Sequence, residues 1–212
     1  MDNKKFNAQE SIQLIEQTLR RSSQRLEEKC VTPMLVWGYT TVVISLLIYF
    51  LLPSISYYAH LLWMLIPLFG YSLSYILGKS NIEPSTRAFP ERFVGTLWAV
   101  AGGSVGIACG VLGLRGGSSI SVEIYFMLVV TVTSIAMLVT GSSLNIKAYK
   151  WGSFAGYLYL LRLTRLTGGK ADFSPEEILY FGATFFVMMC CTGHYLQYKQ
   201  RRACSTNKAS YE

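Results

Sequence analysis

Residues 99–113 read "AVAGGSVGIACGVLG", a run whose glycines decide between two very different folds. A phosphate-binding loop of the GxxxxGK[ST] type needs a strand before it, a helix after it and a lysine near its end. No lysine or aspartate lies near this run, and its surroundings are apolar. Gly102, Gly106 and Gly110 instead recur every four residues, which places them on one face of a helix. In lipid, such small residues let two helix backbones approach closely, so the run favours a packed membrane helix.

The apolar residues of the 212-residue chain occur in blocks that are too long for the core helices of a soluble domain. Hydrophobic residues make up 51% of the chain and charged residues only 15%. A helix needs about 20 largely apolar residues to cross the hydrocarbon of a bilayer. We therefore predict an all-α integral membrane protein, a six-helix transmembrane bundle over residues 33–200. The predicted crossings are 34–52, 58–77, 93–114, 121–140, 151–166 and 176–198.

The fifth predicted crossing is the least apolar of the six. Arg162 and Arg165 fall near its end, where long basic side chains can reach the membrane interface, and a bundle of five crossings is the alternative. Gly152 and Gly156 repeat the four-residue spacing of the third crossing. This repetition predicts a second helix-packing face, and it makes the third and fifth crossings candidates for neighbours.

Residues 1–32 form a polar arm whose apolar residues recur with the periodicity of an amphipathic helix. Pro33 is expected to begin the first crossing. We predict that the arm lies on the membrane surface or against a partner protein. The alternative is a solvated helix that only leads into the first crossing. The predicted surface combines the apolar residues Ile12, Ile15, Leu19 and Leu26 with the basic residues Arg20, Arg21 and Arg25.

The formal net charge of +7 is spread along the chain in a way that argues against nucleic acid as a partner. The 19 Lys and Arg residues lie mainly at the ends of apolar blocks rather than on one face. Basic residues of this kind mark the cytoplasmic side of a membrane protein. The distribution predicts that the arm and the polar tail, residues 201–212, are both cytoplasmic.

The sequence offers no constellation of residues for catalysis, cofactor binding or metal binding. None of the five more apolar crossings carries Asp, Glu, Lys or Arg at mid-depth, where proton-coupled transporters hold their ionisable groups. A metal site needs three or four converging ligands, and His60 and His194 are expected at opposite faces of the bilayer. Cys190 and His194 share a helix face, but no second cluster meets them. We therefore expect no catalytic residue, no cofactor and no metal.

Four segments of the chain resemble a group of uncharacterised multi-pass inner-membrane proteins of Bacteroidota. The similarity covers most of the chain and is carried by apolar motifs of low specificity. It implies a bacterial inner membrane and a six-helix layout, and it transfers no functional residues. The segments are "FNAQESIQLIEQTLRRSSQRL", "PMLVWGYTTVVISLLIYFLL", "WMLIPLFGYSLSYIL" and "GHYLQYKQRR".

Two functions fit these observations. The first is a non-enzymatic binding, regulatory or scaffold protein that acts through its cytoplasmic arm, because the arm is the patterned region outside the bilayer. Its partners would be the lipid bilayer and a cytoplasmic or membrane protein, and a second copy of the chain is a further candidate. The alternative is a channel or small transporter for a neutral or apolar solute.

Overall fold

The computed structural model describes residues 8–78, 89–114, 119–166 and 174–209, and these residues are almost entirely helical. No strand occurs in the described ranges, so the all-α prediction is confirmed for them. The helices are α1 (Ala8–Ile55), a 3₁₀ segment (Ser56–Met64), α2 (Leu65–Gly78), α3 (Phe89–Leu114), α4 (Ser119–Ser143), α5 (Lys147–Leu166), α6 (Glu176–Phe185), a π-helical segment (Phe186–Cys191) and α7 (Thr192–Ala209).

Three stretches are long and apolar enough to cross a membrane: Val31–Ile55, Val122–Ser143 and Glu176–Arg202. Two shorter apolar helices, Leu61–Ile76 and Arg92–Ala108, accompany them. Large apolar side chains lie on the outside of the bundle, among them Phe50 at 71% exposure. Apolar surfaces of this extent are typical of proteins surrounded by lipid.

From Ala8 onward, the arm and the first predicted crossing form one continuous helix. Helix α1 has 48 residues and contains Pro33 in its interior, so it spans about 72 Å at the usual rise per residue. We predicted that the first crossing begins at Pro33, and the part of α1 that is apolar enough to cross a membrane begins nearby, at Val31. The helix itself continues through Pro33. A proline removes one backbone hydrogen bond without necessarily ending a helix that is held by its neighbours. The arm and the crossing are therefore joined without a loop.

Helices α4 and α5 are joined by a very short turn. The N–H of Ile146 donates to the carbonyl of Gly141 (2.9 Å), and the N–H of Asn145 donates to that of Ser142 (3.4 Å). Asn145 has φ 54°, the left-handed conformation that closes a Schellman motif and that asparagine tolerates better than most residues. The motif ends α4 and starts α5 within a few residues, so the two helices run antiparallel in close contact.

The remaining helices are arranged around two packed pairs. Helix α6, the π-helical segment and α7 follow one another as a single rod (the α6 rod), and α1 runs antiparallel to it. Helix α4 packs against both α3 and α5. Across the described residues, α3 and α5 make at most marginal contact with each other. The expected pairing of the third and fifth crossings is therefore absent there, because the short turn at Asn145 holds α5 against α4.

Candidate ligand-binding cavity

A cavity of about 280 Å³ lies between α1, α2, α3, α4 and the α6 rod. Every one of these helices contributes to its wall, so the cavity is a product of the whole bundle rather than of one motif. Its lining residues are Trp37, Thr41, Ile66, Pro67, Tyr71, Gly95, Trp98, Ala99, Ala101, Gly102, Val105, Tyr125, Val129, Thr133, Phe181, Phe185 and Met189.

Aromatic rings form much of the wall on the side of α1 and α2. The ring of Trp37 meets the ring of Tyr71 edge to face, with centroids 5.1 Å apart. Gly70 lies directly against the same indole, because a Cβ at that position would come within 2.7 Å of it. The absence of a side chain at Gly70 thus allows α2 to approach Trp37 and holds the indole at the edge of the cavity.

The opposite wall is supported by a buried aromatic cluster. Phe181 stacks on Phe126 with centroids 4.3 Å apart, and Trp63 meets each ring edge to face at 5.4 Å. Aromatic pairs in such geometries contribute about 0.5–1.5 kcal/mol beyond the burial of their area. Phe126 and Phe181 are fully buried, so this wall is rigid and apolar.

Three polar groups of the lining are hydrogen-bonded within the protein. The hydroxyl of Thr41 donates to the carbonyl of Trp37 (2.9 Å), and that of Thr133 donates to the carbonyl of Val129 (2.7 Å). The indole N–H of Trp98 donates to the hydroxyl of Thr140 (3.2 Å). None of the residues described as lining the cavity is acidic, basic or a histidine. A molecule in this cavity would therefore meet apolar atoms and ring faces.

The volume of the cavity sets the size of a molecule that could occupy it. An engineered apolar cavity of about 150 Å³ in another protein stays free of water and binds benzene. The present cavity has nearly twice that volume. It is therefore suited to a compact molecule of about two fused rings.

The glycines that the sequence singled out fall into two groups. On α3, Gly102 lines the cavity, and a Cβ on it would lie 2.7 Å from the hydroxyl of Tyr71. A Cβ on Gly106 or Gly110 would meet open space within 4 Å. On α5, a Cβ on Gly152 would lie 2.9 Å from the carbonyl oxygen of Met188. A Cβ on Gly156 would collide with the hydroxyl oxygen of Ser134 on α4.

The close contacts at Gly152 and Gly156 involve the π-helical segment of the α6 rod. Met188, which approaches both glycines, lies in the π-helical segment. On the other side of the same segment, a Cβ on Gly38 of α1 would lie 2.8 Å from Cβ of Met189. The wider π-helical turn is thus held between two helices that present glycine to it.

The arm residues of the predicted partner surface are carried on the first half of α1. The side chain of Ile12 is 64% exposed. The backbone of this half is helical. The side chains of the other six residues lie outside the described part of the structure: Ile15, Leu19, Leu26, Arg20, Arg21 and Arg25.

An ion pair that was not predicted from the sequence joins α5 to α6. Nη1 of Arg162 donates to Oε2 of Glu177 at 2.6 Å, and Glu177 is buried. We expected Arg162 to extend toward the interface instead. Arg162 lies near the end of α5 and Glu177 near the start of α6. Two consecutive antiparallel helices bring such residues to the same level, and this spacing could have indicated the pair.

The residues considered for metal binding lie in other contacts. Nε2 of His194 is 2.6 Å from the hydroxyl of Tyr39 on α1, and Cys190 packs against Gly38. No group of three or more His, Cys, Asp or Glu side chains suited to a metal was found among the described residues.

No protein-family model, no curated protein and no solved structure matches this chain. The chemistry of the cavity and the course of α1 are therefore the observations from which a function can be argued.

Proposed function

We propose that this protein is a non-enzymatic, multi-pass protein of a bacterial inner membrane that binds a small, neutral, largely apolar molecule. The observation that carries the proposal is the cavity of about 280 Å³ that is lined by α1, α2, α3, α4 and the α6 rod. Ligand pockets in proteins are mostly apolar, with few polar groups, and this cavity has that composition.

The lining favours a neutral molecule over an ion. A charge moved from water into an apolar site is strongly destabilised unless an opposite charge or several hydrogen bonds compensate it. The threonine hydroxyls of the wall already donate to backbone carbonyls of their own helix. The ring faces of Trp37, Tyr71 and Trp98 could attract a cation, but the described lining holds no carboxylate to neutralise it. A neutral aromatic molecule gains the ring contacts without that penalty.

Helix α1 connects the cavity to the arm. Trp37 and Thr41 line the cavity, and the same helix continues without interruption to Ala8. A molecule that contacts Trp37 therefore contacts a continuous helix whose other end is the proposed cytoplasmic surface. We propose that the arm, through Ile12 and its basic face, engages anionic lipid or a protein partner in a manner that depends on the occupancy of the cavity.

The binding proposal is tested with 1-bromonaphthalene, a neutral two-ring probe, and the full-length protein in lipid nanodiscs. We expect a saturable rise in Tm, since a ligand that binds the folded state stabilises it by about 2.7 kcal/mol at one hundred times its Kd. The charged matched probes are 4-bromonaphthalene-1-sulfonate and a trimethylammonium derivative of the same ring. We expect neither to give a saturable rise at the same concentrations.

Two variants on α4 locate the binding site. Val129→Phe places a larger side chain in the cavity and is expected to abolish the saturable rise in Tm. Leu128→Phe is the matched control, because the neighbouring Leu128 is exposed on the outer face and does not line the cavity. Equal binding by the two variants, no saturable binding by the natural sequence, or stronger binding of the cationic probe would each overturn the proposal.

A further inference from the structure

We infer that the cavity opens sideways into the bilayer between α2 and α3, and that the side chain of Tyr71 closes this opening. The inference rests on the binding function proposed above and adds the source of the ligand. The molecule would be one that dissolves in the hydrocarbon of the membrane and enters the protein from there.

The first observation concerns the packing of the two helices. Helix α2 packs against α1, and α3 packs against α4. Both α2 and α3 line the cavity, yet over their described residues their backbones make at most marginal contact, and the side chain of Tyr71 reaches from α2 to Gly102 on α3. The wall of the cavity is therefore thinnest between them.

The second observation concerns which lining residues reach the surface. On α4 and the α6 rod, the residues that line the cavity are all buried, as are Thr41 and Ile66. The lining residues that are exposed are Tyr71 on α2 and Gly95 and Ala99 on α3. A residue that both lines a cavity and is exposed marks a place where the cavity meets the surface. All three lie at the α2–α3 side.

Tyr71 is the side chain that bridges this side. It is 51% exposed, and its hydroxyl lies 2.7 Å from the position that a Cβ on Gly102 would occupy. Its ring is held from behind by the edge-to-face contact with Trp37. A rotation about the Cα–Cβ bond would move the ring off Gly102 without moving either helix backbone, so Tyr71 has the properties of a gate.

The surface around the opening is suited to lipid rather than to water. Leu68 and Tyr75 on α2, and Val100 and Ile107 on α3, are large apolar residues with exposed side chains. Hydrocarbon covers such a surface at no penalty, whereas water does not. A molecule that reaches the opening therefore arrives from the hydrocarbon.

The gate is tested by the rate at which 1-bromonaphthalene quenches tryptophan fluorescence in a stopped-flow experiment. Bromine quenches a nearby indole, and Trp37 and Trp98 line the cavity. Every protein in the series carries Trp151→Phe, because Trp151 is exposed on the outside and would be quenched by probe dissolved in the lipid. The saturable phase of the quenching then reports the cavity.

One pair of variants opens the gate. Tyr71→Ala removes the bridging ring and is expected to raise the association rate by roughly threefold to tenfold, the factor that corresponds to one edge-to-face ring contact. Tyr71→Phe keeps the ring and is expected to give a smaller rise. Tyr75→Ala is the matched control, since Tyr75 lies one turn further along α2, is exposed and does not line the cavity.

A second pair narrows the opening. Ala99→Phe places a ring at the opening and is expected to lower the association rate, opposite in sign to Tyr71→Ala. Val100→Phe is its control, because Val100 is the next residue on α3 and faces away from the cavity. Saturable binding with equal rates in all five variants would overturn the gate and leave the binding site intact. Absence of saturable binding in the natural sequence would overturn the proposed function itself.

Discussion

Arg162 on α5 is joined to Glu177 on α6 by a hydrogen bond of 2.6 Å between Nη1 and Oε2. The same guanidinium lies over the ring of Tyr180, with Cζ 3.6 Å from the ring centroid. Glu177 is the acidic residue that is buried among the described residues. One basic side chain therefore both neutralises a buried carboxylate and packs on a ring, which fixes α5 against α6 at the end of the bundle opposite to the arm.

Loss of this arginine is expected to destabilise the bundle. Arg162→Met leaves Glu177 buried without its partner, and we expect the free energy of unfolding to fall by about 1–3 kcal/mol. This range is below that of fully buried pairs because the Arg162 side chain is 37% exposed and solvent weakens such pairs. The Tm in detergent measures the effect. Lys147→Met, which removes an exposed cation from the other end of α5, is the control, and equal Tm values for the two variants would contradict the assigned role.

Gly156 on α5 and Gly106 on α3 are expected to respond to alanine in opposite directions. Gly156→Ala forces a Cβ onto the hydroxyl oxygen of Ser134, and we expect it to destabilise the fold by about 1–3 kcal/mol. Gly106→Ala fills open space and is expected to stabilise α3 by roughly 0.5–1 kcal/mol, since alanine is the better helix former. The double variant Ser134→Ala with Gly156→Ala should recover part of the loss.

Thermal unfolding of the natural sequence and these three variants separates the two kinds of glycine. A loss of stability in Gly106→Ala equal to that in Gly156→Ala would show that another surface covers α3, and a second copy of the chain would then be the first to test by measuring the oligomeric state.

The turn between α4 and α5 depends on the conformation of Asn145. Because φ is 54° there, Asn145→Val should destabilise the protein by about 1–2 kcal/mol, the usual penalty for the left-handed region. Asn145→Gly should have the stability of the natural sequence or slightly more. Tm values compare these variants with Ser142→Val, which places the same side chain one turn earlier on the exposed face of α4. If Asn145→Val and Ser142→Val have the same Tm, the Schellman motif does not control the hairpin.

The proposed membrane topology predicts which loops are reached from outside. With six crossings and both termini cytoplasmic, Ser54→Cys and Ser174→Cys should react with a membrane-impermeant maleimide in spheroplasts, and Lys147→Cys should react only after lysis. The natural sequence, which has its own cysteines, gives the background. Labelling of Lys147→Cys and Ser174→Cys from the same side would mean that α5 does not cross the membrane.

The sequence predicted the helical character of the chain because that depends on local composition. Blocks of apolar residues over 34–52 and 121–140 correspond to stretches of α1 and α4 that are long enough to cross a membrane. The change from a 3₁₀ segment to an α-helix within the predicted second crossing, 58–77, could not be predicted in this way. Ser56–Met64 forms a 3₁₀ segment, in which Ala59 and Trp63 are buried, and burial of this kind depends on residues that are distant in the chain.

The cavity could not be predicted from the sequence for a related reason. Spacing places Gly102, Gly106 and Gly110 on one helix face but does not say what that face meets. The structure puts Tyr71 against the first and nothing within 4 Å of a Cβ on the other two. This outcome depends on the rotation and the neighbours of α3, which are set by contacts between residues far apart in the chain. The ion pair of Arg162 and Glu177, by contrast, follows from counting residues along two consecutive antiparallel helices.

The central claim, that the aromatic cavity holds a neutral molecule, is tested most directly by photolabelling the protein in nanodiscs with a neutral aryl diazirine. Mass spectrometry then maps the labelled residues with and without an excess of 1-bromonaphthalene. We expect the excess to suppress labelling at the cavity residues Trp98, Val129 and Phe185 while labelling of the lipid-facing Phe50 and Ile107 is unchanged. Equal suppression at all five positions, or none at the cavity residues, would contradict the account.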